Sequence, residues 1–250
     1  MTTTSDSKKE GGFLETVKVI VHALLIALVI RTFLFQPFNI PSGSMKDTLL
    51  IGDYLFVSKF SYGYSRFSIP FSPNLFSGRI MGSEPTRGDV AVFKLPKDNE
   101  TDYIKRVVGM PGDAIQMING VLHINGTPVK RERLSDVMED DGSGRTVPVK
   151  RFRETLPNGV SYETLDLTDN GFYDNTPVYN VPLGHYFMMG DNRDNSADSR
   201  VLSQVGYVPY DNLIGKAQII FFSIDDHTPA WQIWTWPWTV RWSRIFTMVR

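Results

Sequence analysis

The chain has 250 residues, of which 42% are hydrophobic and 21% charged, so it can bury a core and would form one large or two small domains. Its net charge of -1 argues against nucleic acid as a partner, because phosphate binding requires an excess of basic residues. The absence of cysteine excludes disulfides, thiol nucleophiles and thiolate metal sites, and the four histidines lie far apart without a metal-binding spacing. We therefore expect no metal and no cofactor.

An apolar run near the start of the chain predicts a membrane anchor. Residues 1–12 are polar and glycine-ended, which is typical of a solvated stub. Residues 17–35 would span roughly 28 Å as a helix, close to the hydrocarbon thickness of a bilayer. Lys18, His22 and Arg31 interrupt the run, and a buried helix of a soluble protein is the alternative interpretation.

The flanks of this run predict that the anchor is retained and how it is oriented. A cleavable signal peptide ends in small residues, whereas residues 31–35 are bulky. Lys8, Lys9 and Lys18 lie at the N-terminal end, which places that end in the cytoplasm and the rest of the chain outside.

A turn of small residues follows directly on the anchor, within residues 36–53. It carries Ser42, Gly43 and Ser44, and the glycine allows the backbone to approach another molecule closely. Because Ser44 is only nine residues beyond Phe35, it would lie near the bilayer surface.

Short runs rich in valine, isoleucine, phenylalanine and tyrosine predict strands over the middle of the chain. Asn119-Gly120 and Asn125-Gly126 favour positive φ and predict hairpin turns. A long loop is expected over residues 61–85. The predicted strands are residues 54–60, 89–95, 103–108, 114–118, 121–124, 186–189 and 217–222.

The expected fold is mainly β: a membrane-anchored antiparallel β catalytic domain with an inserted β subdomain and one N-terminal transmembrane helix. The predicted division is a stub and anchor (1–36), a catalytic domain (37–118 and 184–225), an inserted variable subdomain (119–183) and a tryptophan-rich tail (226–250).

Lys105 is a candidate base because it lies in an apolar stretch, YIKRVVGMPGD at residues 103–113. Strand alternation places it on the face opposite Ile104 and Arg106, where it could point into the protein. An ammonium desolvated in an apolar pocket has a lowered pKa, and the neutral amine can deprotonate a hydroxyl. A solvated surface charge is the alternative.

Four motifs in order resemble the bacterial type I signal peptidases, the membrane-anchored serine proteases that use a Ser/Lys dyad. They are PSGSM (41–45), RGDVAVFKLP (87–96), YIKRVVGMPGD (103–113) and GDNRDNSADSR (190–200). Lys46 and Asp47 depart from the family, which often has Met and Pro after the nucleophile. The resemblance implies a serine endopeptidase that removes signal peptides from exported preproteins.

The resemblance also implies a role for individual residues. Ser44 matches the nucleophile and Lys105 the general base, while Ser42 matches the hydroxyl that forms the oxyanion hole with the main-chain N–H of Ser44. Ser196 matches the serine that orients the lysine. Three residues match charged supports of the site, namely Asp191, Asp198 and Arg200, and five match the shallow substrate pocket, namely Ile40, Met45, Leu49, Tyr103 and Ile104.

Substrates and location follow from the same resemblance. The family cleaves preproteins after small residues in an A-x-A pattern. The chain is expected in the bacterial inner (cytoplasmic) membrane, single-pass, with its N-terminus cytoplasmic and its catalytic domain on the periplasmic side.

The C-terminal tail predicts a second contact with membrane lipid. All five tryptophans fall between residues 231 and 242, and such amphipathic rings suit the headgroup region. After Pro237 a helix would place Trp238, Trp242, Ile245 and Val249 on one stripe. The alternative is that these rings complete a core.

Three other interpretations were weighed. A calcium loop from Asp194 would need glycine where Ser199 stands and glutamate where Val205 stands. A cytosolic Ser/Lys autoprotease would need a regulatory N-terminus in place of the apolar run. A non-enzymatic, membrane-tethered β module would have little reason to keep Ser44, Lys105 and Ser196 together.

Overall fold

The N-terminal helix is longer than predicted. The structure is a computed structural model that describes residues 7–140, 145–225 and 228–250, so residues 1–6 of the expected stub lie outside the described residues. Helix α1 runs over Ser7–Phe33, because extending a formed helix adds one hydrogen bond per residue without a new nucleation step. Within it, Gly12–Phe33 is long and apolar enough to cross a bilayer, with a mean hydropathy of 2.3 and none of the stretch buried.

Strands are the main regular structure in the rest of the described chain, and each of the seven predicted strands overlaps an observed one. In chain order they are β1 (Phe35–Asn39), β2 (Asp53–Ser58), β3 (Val90–Lys94), β4 (Asp102–Gly109), β5 (Ala114–Ile118), β6 (Val121–Ile124), β7 (Thr127–Pro128), β8 (Lys130–Arg133), β9 (Val137–Asp140), β10 (Thr146–Thr155), β11 (Ser161–Asp166), β12 (Tyr179–Asn180), β13 (His185–Met189), β14 (Val208–Pro209), β15 (Leu213–Ser223) and β16 (Thr247–Met248).

These strands form three antiparallel sheets. The largest has the order β1-β2-β15-β3-β4-β13-β14, with β16 added beside β15. A second joins β11, β10 and β8, with β9 also on β10, and the third has the order β12-β5-β6-β7. The expected fold class is therefore confirmed: a mainly antiparallel β protein with an N-terminal apolar helix.

Both predicted Asn-Gly turns are confirmed. Asn119 and Gly120 have φ of 50° and 72°, and Asn125 and Gly126 have φ of 54° and 78°, which is the positive-φ pair that a tight hairpin needs. The first turn joins β5 to β6 within one sheet. The predicted subdomain boundary between residues 118 and 119 thus falls inside that sheet.

Strand β1 was not predicted, because Pro37 interrupts the pattern. Its partner is β2 alone, so β1 is the outer strand of the large sheet, where a missing N–H is tolerated. The pairing turns the chain back immediately after the anchor and sets the position of the Ser44 turn. Ile40, Met45 and Leu49 then bury their side chains in one core cluster with Leu55.

The amphipathic helix predicted after Pro237 is wrong. Helix α2 covers only Trp236–Thr239, a single 3-10 turn follows at Trp242–Arg244, and β16 ends the chain as a strand. Main-chain hydrogen bonds from Phe246 to Ile220 (2.7 Å) and from Val249 to Gln218 (2.9 Å) hold this segment against β15. Pairing with a preformed strand satisfies backbone groups that an isolated short helix would leave exposed.

Candidate active site

Ser44 lies in a short turn that is fixed both by the core and by a neighbouring loop. The turn is a 3-10 helix over Gly43–Met45, in which Ser44 is 8% exposed and Met45 is fully buried. The main-chain oxygen of Ser44 accepts a hydrogen bond from Asn192 N at 3.2 Å. The oxygen of Gly43 accepts another from the amide of Asn192 at 3.0 Å, so one residue holds both carbonyls.

Lys105 reaches this turn from β4. Its Nζ lies 2.6 Å from Ser44 Oγ and 2.9 Å from the carbonyl oxygen of Ile104. The side chain is 3% exposed. Burial lowers the pKa of Lys105 to about 8, and the more distant carboxylates of Asp198 and Asp191 oppose part of that effect. The two side chains predicted as a dyad, 61 residues apart in sequence, are thus in hydrogen-bond contact.

Asp191 is bound on both of its carboxylate oxygens by a residue that the sequence did not single out. Arg106 Nε donates to Asp191 Oδ1 at 2.8 Å and Nη2 donates to Oδ2 at 2.6 Å, with both side chains essentially buried. The Thr48 hydroxyl donates to the same Oδ2 at 2.5 Å. The charge in the middle of an apolar strand was the signal that could have identified Arg106.

Asp198 and Arg200 form a second buried pair behind the site. Arg200 Nε and Nη2 donate to Asp198 at 2.9 and 2.8 Å, and Gly190 N donates to Asp198 Oδ2 at 3.0 Å. Burial alone would raise the pKa of Asp198, but the guanidinium of Arg200 and these hydrogen bonds hold it below its ordinary value. The pair therefore stays charged and fixes the loop that carries Ser196.

Ser196 is buried, 6% exposed; its Oγ forms no hydrogen bond of good geometry within the described residues, but it lies close enough to the Asp198 carboxylate to help lower the pKa of that group. It packs against Gly190, another residue missed by the sequence analysis. A Cβ at Gly190 would lie 2.1 Å from Ser196 Oγ and 2.5 Å from the carbonyl oxygen of Ser44. Only glycine fits at this point, which brings Ser196 up to the Ser44 turn.

A cleft of 640 Å³ opens in front of Ser44 and Lys105. Of the residues predicted for the substrate pocket, Tyr103 and Ile104 line it. Ile40, Met45 and Leu49 lie instead in the core cluster against which Ile104 packs. The cleft is lined by Pro41, Ser42, Gly43, Ser44, Lys46, Asp102, Tyr103, Ile104, Lys105, Glu139, Val149, Leu165, Leu167, Asn192, Asn195 and Ala197.

One wall of the cleft comes from the predicted inserted subdomain. Glu139 on β9 and Val149 on β10 both line it. Lys46 Nζ donates to Glu139 Oε2 at 2.5 Å, which joins the Ser44 segment to β9 across the opening. No local sequence pattern indicates this wall, because the contact spans 93 residues.

Ser42 stands at the mouth of the cleft. Its backbone is extended, with φ of -133° and ψ of 152°, and its Oγ lies 3.5 Å from Ser44 Oγ. Ser42 also lines the cleft, so its hydroxyl lies on the same side of the turn as Ser44 Oγ.

Comparison with known proteins supplies the family. A model of the family described as "Signal peptidase, peptidase S26" matches residues 13–222. The signal peptidase I of Rickettsia typhi is 47% identical over 208 residues, which cover 80% of this chain and 76% of that protein. The signal peptidase I of Rickettsia canadensis is 44% identical over 214 residues, which cover 82% and 78%.

A crystal structure of a signal peptidase I from Enterococcus faecalis V583 is also similar, at 26% identity with a TM-score of 0.32, covering 54% of this chain and 97% of that one. The family predicted from the four motifs is confirmed by the sequence matches. The chain therefore belongs to the signal peptidase family, peptidase S26, whose members are serine endopeptidases that remove signal peptides.

Proposed function

We propose that this chain removes signal peptides with Ser44 as the nucleophile and Lys105 as the general base. The observation that carries the proposal is the 2.6 Å contact between Lys105 Nζ and Ser44 Oγ. A lysine is a base only when neutral, and burial lowers the pKa of this one to about 8. At pH 7 about a tenth of the amine is then neutral, against well under a thousandth for a lysine of ordinary pKa.

The proposed reaction moves one proton through Lys105. The neutral amine takes the Ser44 proton as Oγ attacks the scissile carbonyl carbon, and the resulting ammonium protonates the leaving amine. The signal peptide remains as an ester on Ser44. Lys105 then takes a proton from the attacking water, and its return to Ser44 Oγ releases the carboxylate product.

The oxyanion of each tetrahedral intermediate would be stabilised by Ser42 and by the main-chain N–H of Ser44. Such preorganised donors are worth about 3 to 4 kcal/mol each. Ser196 would orient the lysine amine, a role supported by its buried position beside the Ser44 turn and near the Asp198 carboxylate. Asp191, Asp198 and Arg200 would hold these groups in place through their buried ion pairs.

The substrate class is a preprotein with small residues before the cleaved bond, in an A-x-A pattern. Ile104 supports this proposal, because it lines the cleft and packs on a core of large apolar side chains that leaves little depth beside it. Ile40, Met45 and Leu49 would form the floor of the pocket from within that core. A shallow apolar pocket selects by excluding larger side chains.

The proposed location is the bacterial cytoplasmic membrane, crossed once by α1, with the N-terminus in the cytoplasm and the catalytic domain on the periplasmic side. The flanking lysines support this orientation. Four tail tryptophans, Trp231, Trp234, Trp238 and Trp242, are 60 to 84% exposed and would contact lipid headgroups. Because all five tryptophans of the chain lie in this tail, brominated lipids in proteoliposomes should quench its fluorescence, and unquenched emission would contradict this contact.

The catalytic assignment is tested by Ser44→Ala and Lys105→Met in the full chain, assayed in detergent against a preprotein. Each should lower kcat at least about 10⁴-fold, because either change removes a group that acts in the transition state. Ser161→Ala and Lys130→Met are matched controls at exposed positions and should leave kcat unchanged. Cleavage retained by either active-site variant would overturn the assignment.

A further inference from the structure

We propose that residues 241–250, here called the C-terminal clasp, position the nucleophile segment, residues 44–53, for catalysis. The inference rests on the proposed role of Ser44. The two segments lie far apart in sequence yet share several hydrogen bonds, and none of the clasp residues lines the cleft.

The first set of contacts runs from two arginines of the clasp to main-chain oxygens. Arg244 Nη2 donates to Thr48 O at 3.0 Å, and Arg241 Nη1 donates to Ile51 O at 2.8 Å. Loop carbonyls of this kind have no strand partner of their own, so a fixed donor decides the path of the loop. The clasp thus sets the backbone only a few residues after Ser44.

The second contact is an ion pair that joins Arg244 of the clasp to Asp53 at the end of the nucleophile segment. Arg244 donates from Nε and Nη2 to the two oxygens of Asp53, at 3.1 and 2.6 Å, and Asp53 is fully buried. Asp53 Oδ2 in turn accepts from Leu50 N at 2.8 Å. Removing one partner of a buried ion pair is strongly destabilising, so Arg244 supports the hydrogen bonds that Asp53 makes within the segment.

The third contact enters the charge network beside the Ser44 turn. Arg106 Nη2, already bound to Asp191, donates to the carbonyl oxygen of Arg250 at 3.1 Å. Thr48 links the two routes, because its hydroxyl binds Asp191 while its carbonyl binds Arg244. The residue after Asp191, Asn192, holds the carbonyls of Gly43 and Ser44.

The clasp is itself fixed in register by β15. Its strand pairs Met248 with Ile219 and Thr247 with Ile220, and Val249 packs against the core cluster that contains Met45 and Leu49. This pairing determines where the Arg244 guanidinium can reach. The clasp is thus a rigid part of the sheet and not a loose end laid over the loop.

Positioning of this kind acts on catalysis more than on binding. Attack requires Ser44 Oγ in line with both the carbonyl and Lys105 Nζ, and a misplacement of about 1 Å can cost roughly 100-fold in rate. Tyr103 and Ile104, which line the cleft, come from β4, whose strand partners are β3 and β13 and not the clasp. Met45 and Leu49 of the nucleophile segment support the pocket only from within the core, so we expect a change in Arg244 to lower kcat by a larger factor than it raises KM.

The test uses Arg244→Lys and Arg244→Gln in the full chain, with a soluble peptide substrate in detergent so that membrane contact plays no part. Arg244→Lys keeps a cation for Asp53 and thus the fold, but one ammonium cannot reproduce the planar fork that serves Asp53 and Thr48 O together. It should lower kcat about tenfold, and Arg244→Gln should lower it further, with KM within about twofold of the parent.

Arg153→Gln is the matched control, because Arg153 forms an exposed ion pair with Glu163 away from the cleft lining. Its kcat and KM should match those of the parent. If Arg244→Lys is folded by thermal unfolding and has the parent kcat, the positioning role is overturned, whatever Arg244→Gln does. Ser44→Ala is assayed alongside: its inactivity with an unaffected Arg244→Lys rejects the clasp alone, whereas an active Ser44→Ala rejects the proposed function.

Discussion

Lys105 and Arg106 are neighbours on β4, both almost wholly buried, and the strand gives them opposite electrostatic surroundings. Lys105, 3% exposed, has hydrogen-bond contacts with a hydroxyl and a carbonyl but no ion pair within the described residues. Arg106, fully buried, is clamped by both oxygens of Asp191. Burial alone would lower the pKa of both cations, and Asp191 reverses the effect for Arg106, whose pKa is raised.

The difference shows how one strand carries both a reactive charge and a structural one. A buried cation without an anionic partner has a lowered pKa and loses its proton easily, as a general base must. Its charged form, however, lowers the stability of the fold. A buried cation with a bidentate partner stays charged and holds its neighbours. Two substitutions at adjacent positions should therefore change stability in opposite directions.

The larger effect is expected at Arg106. Arg106→Met leaves the buried Asp191 with the Thr48 hydroxyl as its remaining side-chain partner, and it also removes the donors to Gly88 O and Arg250 O. Removing one partner of a buried pair costs about 3 to 5 kcal/mol. Denaturant unfolding of the full chain in detergent measures this loss in the free energy of unfolding. The exposed pair gives the control, because Arg153→Met should cost no more than about 1 kcal/mol; equal losses would contradict the comparison.

A smaller effect of opposite sign is expected at Lys105. Its pKa is about 8 in the folded chain against an ordinary 10.5, so the unfolded state binds the proton more tightly and stability rises with pH between these two values. Below pH 8 the charged lysine costs up to about 3 kcal/mol. Lys105→Met removes that cost but also loses hydrogen bonds worth about 1 kcal/mol.

The inactive variant Lys105→Met should thus be more stable than the parent by about 2 kcal/mol at pH 7, with the gain falling to nearly zero at pH 10. Thermal unfolding at the two pH values tests this. Lys130, an exposed lysine, supplies the control: Lys130→Met should show no such dependence on pH. A gain that persists at pH 10 would show that packing, and not desolvation, is responsible.

Of the two buried cations on β4, the sequence allows the role of Lys105 to be predicted but not that of Arg106. Lys105 was identified as a base because its motif stands in order with three others, and the strands around it follow from local patterns of valine, isoleucine and aromatic residues. The charge of Arg106 within an apolar strand is visible in the sequence, but its role is not, because its partner Asp191 lies 85 residues further along the chain.

Dependence on distant residues also explains why the structures of the tail and of β10 differ from what the sequence predicts. The tail has the pattern of an amphipathic helix, yet hydrogen bonds to β15 decide its structure, and no local window contains β15. Strand β10 carries charged side chains over KRFRET with little apolar alternation, so its pairing with β8, β9 and β11 leaves a weak signal. Patterns that repeat along the chain predict helices and strands. Contacts between distant residues cannot be predicted from such local patterns.

The smallest effect is expected at a charge pair that is only partly buried. Lys46 and Glu139 are 24% and 26% exposed and lie 2.5 Å apart across the cleft. Solvent screens such a pair, so Lys46→Gln should change the free energy of unfolding by no more than about 1 kcal/mol. Because both residues line the cleft, separating them should widen it and raise KM for a peptide substrate about two- to threefold, with kcat unchanged.

The role of the pair itself is isolated by a double-mutant cycle. If the contact between the two side chains is responsible, Glu139→Gln should raise KM as much as Lys46→Gln does, and the double variant should be no worse than either single one. Additive changes in KM would mean that each side chain touches the substrate separately. If the changes are not additive, the contrast with Arg106 is one of burial alone: the same kind of ion pair fixes the fold where water is excluded and adjusts the width of the cleft where it is not.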